Sequence, residues 1–275
     1  MKNFKNKTIV ITGAGTGMGR AYALAFAKRG SILALCDIAP DQLEKTLNLV
    51  KQIADVKTLT DCFDVSNQQQ TLEFAAAVKQ KFGNADVLIN NAGIEGSCEP
   101  VWSTESSWFK KVMDVNFFGV VNGTKAFLPQ LQEHDRGVIV NVSSIFGLVG
   151  TPNHADYCAS KFAVRGFTEA LMVELCESNI QVHLLHPGGI DTQIARKNKS
   201  RKFSKEYLTT SADIVAEYVI DCIQKNKIRM VYGNNAYKIW IGSRIVPIKI
   251  LIKLIWSEMK TVIQLDNYPS NKESE

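Results

Sequence analysis

Tyr157 and Lys161 stand four positions apart in a stretch of helical character, so their side chains project from one face. An unperturbed tyrosine, with a pKa of about 10, is a poor base near neutrality; a nearby ammonium favours the phenolate and brings the group toward working pH. Such a pair can take a proton from an alcohol or return one to a carbonyl. About 140 residues earlier, Thr12-Gly13-Ala14-Gly15-Thr16-Gly17-Met18-Gly19 follows the apolar run Ile9-Val10-Ile11 and opens a helical pattern near Met18. There, backbone N–H groups and the helix dipole can face a pyrophosphate. Taken singly, each signal has an ordinary alternative: Tyr-x-x-x-Lys is common on exposed helices, and a glycine turn between strand and helix is often only a tight connection.

The groups need a scaffold that brings them together. Short β-branched runs alternate with helical patterns along the chain, the mark of βαβ units and a parallel sheet. Strands are expected at Thr8–Thr12, Ser31–Asp37, Lys57–Phe63, Val87–Asn90, Val138–Ser143, Val182–His186 and Met230–Tyr232. These seven strands fit a doubly wound α/β sheet with helices on both faces. No Pro/Gly/Ser-rich linker and no internal repeat interrupts the series, so one domain is expected over residues 1–232, with a C-terminal helical extension and polar tail over 233–275. In such sheets ligands sit beyond the carboxyl ends of the strands, where the glycine turn falls. Asp37 ends the second strand at the distance expected of a residue that accepts hydrogen bonds from an adenosine ribose, and its carboxylate would repel a 2′-phosphate. A helix or turn cap before Pro40 and Asp41 is the alternative for Asp37.

Between the two stretches stand Asn90-Asn91-Ala92-Gly93, Asn116 and Ser143-Ser144. In order and spacing the set closely resembles the short-chain dehydrogenase/reductase family, from about Lys5 to Thr192 and more loosely to Tyr232. The glycine spacing, Gly13-x-x-x-Gly17-x-Gly19, matches that family's form and not the common G-x-G-x-x-G fingerprint. The resemblance implies a single-domain Rossmann fold that binds a dinucleotide through Gly13, Thr16, Gly17, Met18 and Gly19. It assigns Asp64 and Val65 to the adenine edge, and Asn90, Ala92 and Gly93 to the wall beside the nicotinamide ribose. Asn90-Asn91 as a turn that only stabilises the strand end stays open. Pro187, Gly188, Ile190 and Thr192 resemble the segment that packs on the nicotinamide, with Thr192 reaching its carboxamide. Four catalytic positions are implied. Ser144, thirteen residues before Tyr157, hydrogen-bonds the substrate oxygen; Tyr157 moves the proton; Lys161 stabilises the phenolate and hydrogen-bonds the ribose; Asn116 kinks its helix and holds a water in the relay behind Lys161. NADP-dependent relatives place a basic residue within positions 14 to 18 or directly after Asp37, and this chain has none there, so NAD(H) is favoured over NADP(H). The implied activity is interconversion of a secondary alcohol and a ketone. A 3-oxoacyl-type reductase would prefer NADP(H), at odds with Asp37, and a nucleotide-sensing or scaffold protein of low turnover is disfavoured by the four retained positions.

Bulk properties narrow the partners. A chain of 275 residues, 45% of them hydrophobic, can bury a full core. A net charge of +5 is too mild for a dedicated nucleic-acid binder, so none is expected. Six scattered cysteines without a C-x-x-C pair read as reduced thiols. His183 and His186, three apart in a strand, point to opposite faces, and no metal is expected; His154 reads first as a loop histidine and alternatively as lining the substrate entrance, and Glu95, Glu99 and Asp191 can border the pocket without an assignable role. The polar stretch Met1 to Lys7 has no signal-peptide character, which makes the cytoplasm the expected compartment. After Thr192, Arg196 to Lys205 carries six basic residues in ten, where the family has its substrate lid, about 192–210. That run reads as a solvated loop or as recognition of an anion. Arg244 to Trp256 is apolar, with Lys249, Lys253 and Lys260 on one helical face. It can lie on a membrane surface, cover the pocket or join subunits of a homodimer or homotetramer. Each reading makes the entrance apolar and the substrate lipophilic.

Overall fold

The computed structural model describes residues 1–192, 194 and 201–269. Seven parallel strands form the sheet: β1 (Thr8–Thr12), β2 (Ile32–Asp37), β3 (Thr58–Cys62), β4 (Val87–Asn90), β5 (Gly137–Val142), β6 (Ile180–Pro187) and β9 (Arg229–Tyr232). Their spatial order is β3-β2-β1-β4-β5-β6-β9, so the winding reverses between β1 and β4 and opens a crevice at the strand ends there. Every residue of β1, β4 and β5 is buried, as expected of strands covered on both faces, and successive side chains feed opposite layers. Ile9 and Ile11 enter one core with Tyr22, Phe26 and Ile220, whereas Val10 enters the other with Phe74, Phe127 and Leu131. The first layer is covered by α1 (Gly17–Ala27) and α8 (Ala212–Gln224). The second is covered by α3 (Gln68–Phe82), α5 (Gly119–Glu133) and α6 (Ala155–Glu174). A further helix, α2 (Pro40–Ile53), follows β2.

Three features go beyond the expected series. α4 (Ser106–Met113) runs into α5 through a π-helical turn, Asp114–Phe118, that widens the helix around Asn116. A parallel pair of two-residue strands, β7 (Ile190–Asp191) and β8 (Thr210–Ser211), brackets the segment expected to form the lid. Of that segment, α7 (Arg201–Tyr207) is helical; most of the basic run before it, residues 195–200, lies outside the described residues. The apolar C-terminal stretch is also not one helix. Pro247 divides it into α9 (Ala236–Ile245) and α10 (Ile248–Met259), because proline has no N–H for the preceding turn and forces Val246 into an extended conformation.

His183 and His186 lie fully buried on β6, on different hydrogen-bond partners: Nδ1 meets Lys227 O at 3.0 Å in one and Ser144 O at 2.9 Å in the other. Burial pulls both from the ordinary histidine range down to about 4. The unfolded chain therefore takes up protons between pH 6.5 and 4 that the folded chain refuses, and stability is full above pH 6.5 and falls as pH drops toward 4. The expected loss approaches about 3 kcal/mol per histidine at the acid end. Urea unfolding midpoints measured across that interval should fall steeply, and a flat profile would contradict it.

Candidate active site

The glycine turn is shaped by backbone constraints. Gly13 and Gly17 adopt φ of +65° and +51°, and a Cβ at Gly13 would lie 2.7 Å from Ala92 Cα. Thr12 Oγ1 accepts from the N–H groups of Asn91 and Ala92 at 3.0 Å each. Asn91 Nδ2 in turn donates to Thr12 O and Gly13 O. α1 begins at Gly17 with no side-chain cap and no acid in its first turn, which leaves its first N–H groups for an anion. Gly19 lies behind the cleft: a Cβ there would fall 1.9 Å from Gly13 O, so only glycine lets α1 approach the turn.

Asp37 is fixed beside this turn. Its Oδ2 accepts from Gly15 N at 2.7 Å and its Oδ1 from Ala39 N at 2.9 Å, so it also caps the turn into α2. Arg20 is directed toward α2, with Nε on Thr46 Oγ1 at 2.9 Å and the guanidinium on Gln42 and Gly15 O. A cavity of about 870 Å³ runs from Asp37, Asp64 and Val65 past Gly13, Thr16, Gly17, Met18, Ala92 and Gly93 to Tyr157 and Lys161. Pro187, Gly188, Ile190 and Thr192 close its other wall, with Thr192 opposite Gly17. The side chain of Asn90 is not in this wall; it is buried beneath, where Nδ2 donates to Asn141 Oδ1 at 2.9 Å and Thr124 Oγ1 at 3.1 Å.

Tyr157 and Lys161 both come from α6. Lys161 is buried, its Nζ donating to Val142 O at 3.0 Å and lying 5.6 Å from the centre of the Tyr157 ring. Burial pulls its ammonium down to about 8. Burial also pushes the Tyr157 phenol up, opposed by a hydrogen bond from Ser144 and reinforced by the charge of Glu95. The expected lowering of Tyr157 by Lys161 is therefore not what governs the cavity as it stands: the ammonium points to the Val142 carbonyl, and desolvation dominates. Ser144 lies two residues beyond β5, caps a short 3-10 turn over Ile145–Gly147 and reaches the Tyr157 side chain. Ser143 instead donates to Lys161 O at 2.8 Å and fixes α6 against that turn.

Asn116 sits fully buried in the π-helical turn. Its Oδ1 accepts from Ile94 N at 2.7 Å, and its Nδ2 donates to Ile94 O at 3.0 Å and Ser160 Oγ at 3.2 Å. It thereby ties the segment after β4 to the helix that carries Tyr157 and Lys161. A Cβ at Gly93 would lie 3.2 Å from Asn116 Oδ1 and 3.5 Å from Lys161 Nζ, so this glycine keeps the space in front of the lysine open.

Beyond Tyr157 the cavity is aromatic and apolar. Phe146, His154 and Phe203 pack mutually with centroids 5.3 to 6.0 Å apart, and Phe203 and Tyr207 bring in α7. Leu251, Leu254, Ile255 and Met259 of α10 complete the end. His154 Nδ1 donates to Pro152 O at 2.8 Å, and burial lowers its pKa. Among the described residues one group of metal-type donors comes together, Glu95, Cys98 and His154, with donor atoms within 4.8 Å of one another. Spacing could not disclose it, because His154 is 56 positions from Cys98. The roles of Phe146 and Phe203 are likewise hidden in the sequence, being packing contacts that carry no motif; Thr12 and Asn91 stand in motifs, but the hydrogen bonds between them come from the fold.

The short chain dehydrogenase family model matches residues 7–202. A putative oxidoreductase SadH of Mycobacterium tuberculosis is 39% identical over 259 residues, spanning 90% of this chain and 93% of that protein. A short-chain dehydrogenase/reductase from Burkholderia phymatum in complex with NAD has the same fold over 100% of both chains, with a TM-score of 0.82 and 27% identity. An alcohol dehydrogenase from the archaeon Thermococcus sibiricus complexed with 5-hydroxy-NADP is similar over 82% of this chain and 94% of its own, with a TM-score of 0.71 and 29% identity.

Proposed function

The chain belongs to the short-chain dehydrogenase/reductase family of oxidoreductases acting with NAD(P), and from that premise we propose that it interconverts a lipophilic secondary alcohol and its ketone with NAD(H). The observation that carries the reading is the convergence of Tyr157 and Lys161 on the cavity at the end of the glycine cradle, with the Ser144 side chain hydrogen-bonded to Tyr157. The cradle fits a dinucleotide. Its glycines occupy positions where a Cβ would fill the cleft or strike the turn, and its helix start keeps uncapped N–H groups for phosphate. The nicotinamide, when bound, supplies the hydride acceptor or donor, and the protein aligns the substrate carbon with it. Gly13, Thr16, Gly17 and Met18 would hold the phosphates, Asp64 and Val65 would border the adenine, and Ala92, Gly93, Pro187, Gly188, Ile190 and Thr192 would enclose the nicotinamide half. In the oxidation direction Ser144 and Tyr157 hold the alcohol oxygen and Tyr157 accepts its proton; in reduction Tyr157 returns it. Lys161 would hold the ribose, and Asn116 fixes the helix that carries it through Ser160. The aromatic and aliphatic walls formed by Phe146, Phe203, Leu251 and Ile255 favour a bulky apolar substituent on the carbinol carbon.

NAD(H) is supported by Asp37, whose carboxylate oxygens are held by Gly15 N and Ala39 N beside the glycine turn, where a 2′-phosphate would meet a negative charge. Initial rates over a panel of secondary alcohols, with NAD⁺ and NADP⁺ compared for the wild type and Asp37→Ala, test both parts. Turnover of lipophilic alcohols with at least about tenfold preference for NAD⁺, narrowed in the variant, is the expected result. Unchanged selectivity in Asp37→Ala would show that the ribose is read elsewhere, and no turnover with any alcohol would remove the assigned reaction.

A further inference from the structure

Helices α9 and α10 present two apolar faces. One closes the cavity through Leu251, Ile255 and Met259. The other is turned to solvent, where Ile245 is 72%, Ile248 66%, Ile252 59% and Ile250 52% exposed. Leu254 belongs to both, lining the cavity while 53% exposed, so the apolar lining runs out onto the surface beside α10. A soluble surface normally scatters its exposed aliphatic side chains; here four isoleucines lie within eight positions.

The charge on this surface has one sign. Residues 236–260 carry five basic groups, Lys238, Arg244, Lys249, Lys253 and Lys260, against one acid, Glu258, which pairs with Lys238 at 2.9 Å. At about 100° per residue, Lys249 and Lys253 fall on the outward side of α10, between Ile248 and Ile252 on one flank and Ile250 on the other. α7, which lines the cavity through Phe203 and Tyr207, also carries Arg201, Lys202 and Lys205. No helix among the described residues is long and apolar enough to cross a membrane. A helix of twelve residues, roughly 18 Å long, can instead lie in the interface, with aliphatic side chains in the acyl boundary and lysines at the phosphates.

We propose that α9 and α10 seat on an anionic lipid surface, so that the cavity opens toward the bilayer and draws its lipophilic substrate from it. The choice of lipid over a second copy of this chain rests on charge: a two-fold pairing through this face would set the Lys249 and Lys253 row against its own copy, whereas lipid phosphates complement it. Attachment is independent of the proposed turnover and is measured without it.

The test is co-sedimentation of the full-length protein with vesicles of phosphatidylcholine alone and of phosphatidylcholine with phosphatidylglycerol, read beside size-exclusion chromatography. Binding to the anionic vesicles and little to the neutral ones is expected. The double variant Lys249→Glu/Lys253→Glu should lower the partition coefficient on the order of a hundredfold. Ile248→Ser/Ile252→Ser should lower it roughly tenfold. None of these four side chains lines the cavity, so turnover of a water-soluble alcohol should be unchanged in both variants. Failure to sediment with anionic vesicles overturns the proposal, as does undiminished binding by the charge-reversed variant. A dimer that Ile248→Ser/Ile252→Ser splits, without vesicle binding, would assign the face to a second copy instead.

Discussion

Tyr157→Phe is expected to lower kcat by about a thousandfold or more while leaving NADH affinity within a factor of about two. The substitution removes one oxygen and keeps the ring, whose packing against Phe146, at 6.1 Å between centroids, and beneath Lys161 Nζ does not depend on the hydroxyl. The fold and the glycine cradle are therefore preserved, and the loss falls on proton transfer. General acid–base catalysis contributes about 10²–10⁴ in rate, and here no neighbour substitutes well. The neutral Ser144 hydroxyl is a weak proton acceptor, and Lys161 Nζ is engaged in donating to Val142 O. The pH profile offers an independent check. Because burial pushes the Tyr157 phenol up, the phenolate needed for alcohol oxidation grows as pH rises, so the wild-type oxidation rate should climb through the alkaline range. That climb should disappear in Tyr157→Phe. Steady-state oxidation from about pH 7 to 10, with NADH titration by fluorescence, measures both. Equal activity in the variant would remove Tyr157 from the reaction.

The elements that hold this site are legible because they are encoded locally. β1, β4 and β5 read as β-branched or apolar runs that end in small or polar residues, and their expected bounds fall within a residue or two of those observed. The glycine turn and the Tyr157–Lys161 pair are legible because their chemistry is fixed by spacing within one turn or one helix. Other parts depend on contacts between segments that spacing does not relate. Asn90 sits in a motif, yet its side chain is spent on Asn141 and Thr124 beneath the sheet, which the flanking residues do not reveal. The Glu95, Cys98 and His154 cluster joins the loop after β4 to the start of α6 through tertiary folding alone. The direction in which Tyr157 is shifted is hidden for the same reason: an ammonium four residues away counts toward the phenolate in sequence, but its orientation and the surrounding burial are properties of the packed site. The C-terminal segment has three readings in sequence, and the cavity contact of α10 settles only its inward face.

Gly19→Ala is expected to weaken NADH binding by at least about a hundredfold, the largest effect anticipated for any change outside the reacting groups. A methyl group there would sit 1.9 Å from Gly13 O and 2.8 Å from Asn91 Nδ2. Relief requires either Gly13 or α1 to move. Gly13 is held at φ +65° with its own Cα face against Ala92, and α1 is packed by Tyr22 and Phe26 into the core, so neither yields by the needed distance at low cost. The uncapped N–H groups at the start of α1, proposed to face the phosphates, are displaced in either case, and anion binding at a helix start falls steeply with distance. Gly166→Ala provides the contrast. This glycine lies on the exposed side of α6, with nothing within 4 Å of the place an added methyl would take, and the change should raise stability by up to about 1 kcal/mol without altering NADH affinity. Fluorescence titration of NADH and thermal melts of both variants distinguish a local clash from a general cost of adding a methyl group. Wild-type affinity in Gly19→Ala would mean that the turn relaxes freely, and the cradle would then owe its shape to something other than close approach of α1.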